Sequence, residues 1–195
     1  MNTTPTTAVV VTHEVENYPI WKRAFDQHAS ARKNAGVVST HINRDAARPN
    51  LLSVYLAGND AAKLAAFLTS QDLMTTMRNA GVQGPPRVAK VTPVEDATRK
   101  EALPGLIVRH AVADFAAWKR GFDDHAAARS AAGIVGHAIN RSVDDPKVVV
   151  IYLQARSLDE LRAFAGSTSL KEAMQRAGVT SAPELSFVQG GAWEA

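Results

Sequence analysis

The 195-residue chain contains no cysteine, so disulfides, thiolate catalysis and Cys-ligated zinc drop out together. Long apolar runs are missing as well. The longest, Val148 to Leu153, falls far short of the about 20 residues that cross a bilayer, so no membrane partner is expected. An excess of one charge is also lacking: 22 Lys and Arg face 19 Asp and Glu, a formal excess of 3. The basic residues are scattered among acidic neighbours rather than gathered in a stripe, so no nucleic-acid partner is expected either. The segment Met1 to Thr7 is polar and Thr-rich, with no basic stretch leading into an apolar core, and a cytoplasmic location is expected. No Gly-x-Gly-x-x-Gly, Walker lysine motif, Gly-x-Ser-x-Gly elbow or His-Glu-x-x-His occurs, which argues against nucleotide, dinucleotide and ordinary hydrolase chemistry. Nothing in the sequence asks for a cofactor. With 46% hydrophobic and 21% charged residues, the chain reads as an ordinary globular protein rather than a disordered one.

What the sequence does contain is a gapless internal repeat. A shift of 97 residues places Val-Thr-His-Glu-Val (11–15) on Val-Arg-His-Ala-Val (108–112). The same shift places Trp-Lys-Arg-Ala-Phe-Asp-Gln-His (21–28) on Trp-Lys-Arg-Gly-Phe-Asp-Asp-His (118–125). It also pairs Ile-Asn-Arg (42–44) with 139–141, Tyr55-Leu56 with Tyr152-Leu153, and Ala-Gly-Val (80–82) with 177–179. Between residues 13 and 91 there are 31 identities in 79 positions. Two copies are too few for a solenoid, and a pseudo-twofold pair within one chain is expected, with a further homodimer open.

Each copy reads as β-α-β-β-α-β. Ala8 to Val15 alternates with β-branched residues and predicts a strand. Tyr18 to Ala35 carries helical spacing and ends at Gly36, where a C-capping glycine belongs. Val37–Arg44 and Leu51–Ala57 predict two more strands. Two short helices follow, over Asp60–Leu68 and Ser70–Ala80, with Ser70 as an N-cap. Pro85-Pro86 ends that region, and a closing strand is predicted over Arg87–Thr92. The expected organisation is thus one unit at 8–92, a charged linker at 93–104, and a second unit at 105–190.

A βαββαβ unit of this length has the ferredoxin-like, split βαβ topology. The strand-1 His, the Trp-Lys-x-x-Phe-Asp-x-His-x-x-x-Arg helix and the Phe-x-x-Ser-x-x-Leu-x-x-x-Met-x-x-Ala-Gly-Val ending stand in both copies. With them the unit resembles the dimeric α+β barrel superfamily, which includes the antibiotic-biosynthesis-monooxygenase-like and stress-responsive barrel proteins. The resemblance implies an α+β fold in which both halves of a barrel come from one chain. It implies no single activity, because such a fold hosts many chemistries.

On a helical wheel Trp21, Phe25, His28 and Arg32 form one stripe about 60° wide, and Trp118, Phe122, His125 and Arg129 repeat it. Aromatics on a sheet-facing stripe are expected, whereas a His and an Arg there are not. His28 and His125 read either as hydrogen-bonded core histidines or as proton-transfer groups over a pocket. Arg32 and Arg129 read either as snorkelling cations at a helix end or as ligand contacts. Lys22–Asp26 and Lys119–Asp123 are i,i+4 pairs on another face, so Asp26 points away from His28 and no two-His-one-carboxylate metal centre is expected. His13 and His110 share a strand face with valines. If that face meets the helix, they approach the same small ligand, the alternative being a bond to backbone or Tyr. Asn43 and Asn140 suit orienting a carbonyl or enolate, and Tyr55 and Tyr152 could bring a hydroxyl to a pocket. Their alternatives are a turn-proximal amide and a core aromatic. His41 and His137 are out of phase between the copies and are expected on opposite strand faces. Trp193 reads as cover for an edge.

Two functions stand at this point. One is a small-molecule-binding barrel acting as a cofactor-independent monooxygenase- or cyclase-like enzyme on an aromatic or polyketide-like compound. The other is a non-catalytic stress-responsive or ligand-carrying barrel. A drug-sized cavity beside His28, about 300 Å³ or more, favours the first.

Overall fold

The computed structural model describes residues 5–191 and 193–194. The chain divides into two compact units. One runs through Val91 and takes back the C-terminal residues from Gly191, and the other comprises Thr92–Gly190.

The first unit is built from β1 (Thr7–Val15), α1 (Tyr18–Gln27), α2 (Ala29–Asn34), β2 (Val37–Asp45), β3 (Leu51–Gly58), α3 (Ala61–Leu68), α4 (Gln71–Asn79) and β4 (Val82–Asp96), which runs on into the second. β3 lies between β1 and β2, and β4 pairs with the other edge of β1, every pairing being antiparallel. The second unit repeats this with β5 (Gly105–Ala111), α5 (Phe115–Asp124), α6 (Ala126–Ala131), β6 (Ile134–Ser142), β7 (Val148–Ala155), α7 (Leu158–Ala165), α8 (Thr168–Arg176) and β8 (Glu184–Gln189). Its strand order is β6-β7-β5-β8, again antiparallel. Each unit is therefore an α+β, ferredoxin-like βαββαβ module. A two-residue strand, β9 (Trp193–Glu194), adds to β2, with Trp193 opposite His41. Among the described residues no helix is long and apolar enough to cross a membrane.

Helix starts follow capping chemistry. Asn17 accepts from the Ile20 amide, Asp60 from Lys63 and Ser70 from Leu73, while Ser157 and Glu160 form a reciprocal capping box. The stretch Tyr18–Ala35, predicted as one helix, is two. The turn at His28 has φ −86° and ψ 12°, and the Arg32 guanidinium takes the Phe25 carbonyl in place of a helical amide. Arg129 does the same for Phe122. Gly36 follows α2 at φ +78°, a left-handed conformation that an L side chain resists.

The core of each unit lies between sheet and helices. Val9, Val11, Ile42, Leu52, Trp21 and Leu64 are buried together in the first, and Leu106, Val108, Ile139, Val149, Trp118 and Leu161 in the second. Each such side chain contributes about 1.5–3 kcal/mol of transfer free energy. The expected linker is partly structured: β4 extends to Asp96, and the fully buried Gln154 side chain bonds both the N–H and the C=O of Arg99.

Candidate functional site

Strand alternation decides which polar side chains reach the helices. On β1, Val11 and His13 point to the helix side, and His13 sits 5.5 Å from Trp21 between ring centroids. His110 lies 5.9 Å from Trp118 in the second unit. The strand beyond His13 bulges. β1 and β4 pair at Thr12–Arg87 and again at Glu14–Gln83, so Gly84, Pro85 and Pro86 stand opposite His13 alone. Gly84 takes φ +67° to make the bend, and the two prolines bring no N–H to that edge. At His110 the regular ladder ends with Arg109–Glu184, and the Ser181 hydroxyl accepts the Ala111 amide beyond it.

The consequence is chemical. His13 is 7% exposed and His110 5%, yet neither ring nitrogen of either residue has a hydrogen-bond partner. Each unpartnered buried polar atom costs about 1–3 kcal/mol, so the fold carries a penalty twice at equivalent positions. Burial lowers both imidazoles from 6.5 to about 4. At neutral pH each is therefore uncharged, with one N–H to donate and one lone pair to accept a proton.

Both histidines line apolar cavities of about 70 Å³. Around His13 stand Trp21, Phe25, His28 and Arg32 from α1 and α2, with Phe67 from α3 and Met77 from α4. The second cavity uses Trp118, Phe122, His125, Arg129, Phe164 and Met174 around His110. Pro86 and Pro183 close the strand side. Repeated identities at Leu73/Leu170, Met77/Met174 and Pro86/Pro183 signal this wall in the sequence, where the prolines read only as a break.

The structure thus brings together His13, Trp21, His28 and Arg32, and equally His110, Trp118, His125 and Arg129. Their roles differ from one another. His28 stands at the rim with its Nε2 2.7 Å from the exposed carboxylate of Asp72, and His125 pairs with the Ser169 hydroxyl at 3.0 Å. His125 is held below its ordinary value by burial and then by the Arg129 and Arg176 charges. Arg32 and Arg129 are buried, their guanidiniums 3.5 and 3.6 Å from the ring centroids of Phe25 and Phe122.

Four of the expected ligand contacts stand elsewhere. Val54 and Leu56 line the first cavity, so Tyr55 between them points to the other sheet face. Ile42 joins the helix-side core, which turns Asn43 away, and Asn43 bonds His41 at 3.2 Å. Asn140 and Tyr152 follow the same alternation. Burial pushes the Tyr152 phenol well above its ordinary value despite a hydrogen bond with Gln154. His41 stacks on Trp193 at 3.9 Å. His137 lies on the helix side of its sheet, against Phe122, and bonds Glu95, which also pairs with Lys119. Burial would raise the Glu95 carboxyl, but the Lys119 and His137 hydrogen bonds outweigh it and hold it low.

No family model and no curated protein matches the sequence. Solved structures do match. An anthrone oxidase-like protein superposes with a TM-score of 0.69 over 98% of this chain and 93% of its own, at 10% identity. The chain has the same fold. An uncharacterized ferredoxin fold protein related to antibiotic biosynthesis monooxygenases, from Listeria monocytogenes, gives 0.54 over 95% of both chains at 9% identity. A monooxygenase-like protein from Listeria innocua gives 0.53 over 95% of this chain and 94% of its own at 8% identity. These likenesses establish a tandem ferredoxin-like fold of the kind found in monooxygenase-like proteins, and the fold alone.

Proposed function

We propose that each repeat binds one edge of an aromatic or polyketide-like compound, and that His13 and His110 serve as the bases of a cofactor-independent oxygenation. The observation that carries this is the buried, neutral imidazole left without a partner in an apolar, aromatic-walled cavity, twice in one chain. A suitable substrate has a CH₂ group activated by flanking aromatic rings. The imidazole takes one of its protons, and the carbanion adds dioxygen to give a hydroperoxide. Loss of the second C–H proton with O–O cleavage then leaves a carbonyl, and the other oxygen departs as water. The anthrone oxidase-like neighbour supports this choice of chemistry. Rim residues His28 and His125, already bonded to Asp72 and Ser169, orient the entrance rather than the reacting carbon. A general base of this kind contributes about 10²–10⁴-fold. Oxygen uptake with an anthrone should therefore fall by about a hundredfold or more in the His13→Phe/His110→Phe double variant. An unchanged rate rules the assignment out.

The cavity volume favours a second reading. About 70 Å³ is well below the about 300 Å³ of a drug-sized site, so the cavity admits a fragment of a ligand rather than the whole. A ligand-carrying protein would bind the anthrone, with the same dependence on both histidines, and consume no oxygen.

A further inference from the structure

The two repeats carry the same aromatic, histidine and arginine residues in their cavity walls but differ in what lies outside them. In the second, a polar groove of about 340 Å³ runs between α5 and α8. Its walls are small, Ala117, Gly121 and Ala173, and its rim carries Arg120, Asp124, His125 and Arg176. A Cβ on Gly121 would stand 2.8 Å from the Ala177 Cβ, closer than real side chains approach, so this glycine is what lets the two helices meet. Gly121, His125 and Ala173 also line the His110 cavity, so the groove adjoins the cavity along these three residues. At the matching positions the first repeat has Ile20, Ala24 and Thr76 on the walls, and Gln27 and Asn79 in place of Asp124 and Arg176. Each wall residue there is larger, and one guanidinium is missing.

The charges in the groove are available. Arg120 makes no ion pair among the described residues, and Arg176 has only a 3.6 Å contact with the exposed Glu172, worth little in solvent. Asp124 is the one carboxylate among the residues that line the groove. The Arg129 and Arg176 charges help keep His125 neutral, in keeping with a positive local field.

We propose that the second repeat binds an elongated amphipathic anion, its apolar end against His110 and Trp118 and its carboxylate between Arg120 and Arg176. Planar guanidiniums suit a carboxylate, which they can hold by paired hydrogen bonds. This rests on the reading that the His110 cavity takes a ligand.

Calorimetric titration of the full chain with phenylbutanoate and with phenylbutanol tests it. The acid should bind at one site per chain, about tenfold more tightly than the alcohol binds at the same cavity. Arg120→Ser with Arg176→Asn, both on the exposed surface, should bring the acid down to the alcohol's affinity and leave the alcohol unchanged. His110→Phe should remove the site for both. Equal affinities for acid and alcohol, two equivalent acid sites, or an acid affinity indifferent to the arginines overturns the proposal. If the alcohol still depends on His110 in that case, the cavity reading stands and only the groove fails. If the acid depends on the arginines but not on His110, the cavity reading fails and takes the proposal with it. Absence of heat with either compound overturns both.

Discussion

The two repeats differ least among the aromatic and charged side chains around the histidine cavity and most where the cavity opens. Inside, His13 and His110, Trp21 and Trp118, Phe25 and Phe122, and Arg32 and Arg129 match one for one. Outside it, Asp72 corresponds in the repeat to Ser169, Asn79 to Arg176 and Ile20 to Ala117. A purely structural constraint would hold the tightly packed aliphatic positions most strictly. Leu52 and Val149 are both fully buried, yet they changed identity, while a histidine that bonds to nothing did not. The difference separates cavity residues kept in both repeats from surface residues that diverged.

The largest expected effect tests the inner equivalence by pH. His13 and His110 have folded values of about 4 against an ordinary 6.5, so the unfolded chain binds more protons between those limits. Stability is therefore fully present above about pH 6.5 and declines as pH falls toward 4, by roughly 3 kcal/mol for each histidine. Urea unfolding across this range should show the decline in the parent and a flatter profile in His13→Phe and His110→Phe, by equal amounts. A slope carried by one histidine alone would break the equivalence.

A smaller effect concerns the arginines. Removing Arg32 or Arg129 strips a half-buried carbonyl of its charged donor, at a cost of about 2 kcal/mol each in denaturant unfolding. If one costs nothing, the broken helices are held differently in the two units. The smallest effect sharpens the contrast at the rim. Ser169→Asp gives His125 the carboxylate that His28 already has, and an NMR titration should show the His125 ring moving up toward its ordinary value. No movement would mean that burial alone governs that ring.

Much of this was legible because the duplication doubled every signal. Period-two alternation on β1 placed His13 and His110 with the valines, and the shared helical stripe placed Trp21 and Arg32 over them. The break at His28 was not visible, since a guanidinium replacing one amide leaves the helical phase nearly unchanged across the turn. The beginning of β4 at Val82 was hidden for a similar reason. Pro85 and Pro86 normally interrupt a ladder, and only the register at Thr12 and Glu14 shows that the strand passes through them as a bulge. Asn43 and Tyr55 were repeated as faithfully as the histidines, but repetition does not say which face of a strand a residue occupies. The groove needed the Gly121–Ala177 approach, which no pattern along one helix contains.

The 97-residue repeat also has a genetic consequence. In a symmetric assembly of identical subunits, every substitution is written into all sites at once, and no site can specialise while another keeps its original task. Joining the copies in one reading frame lifts that coupling. A change such as Asn79 against Arg176 can arise in one copy only, so a single chain can keep one half as it was while the other half varies.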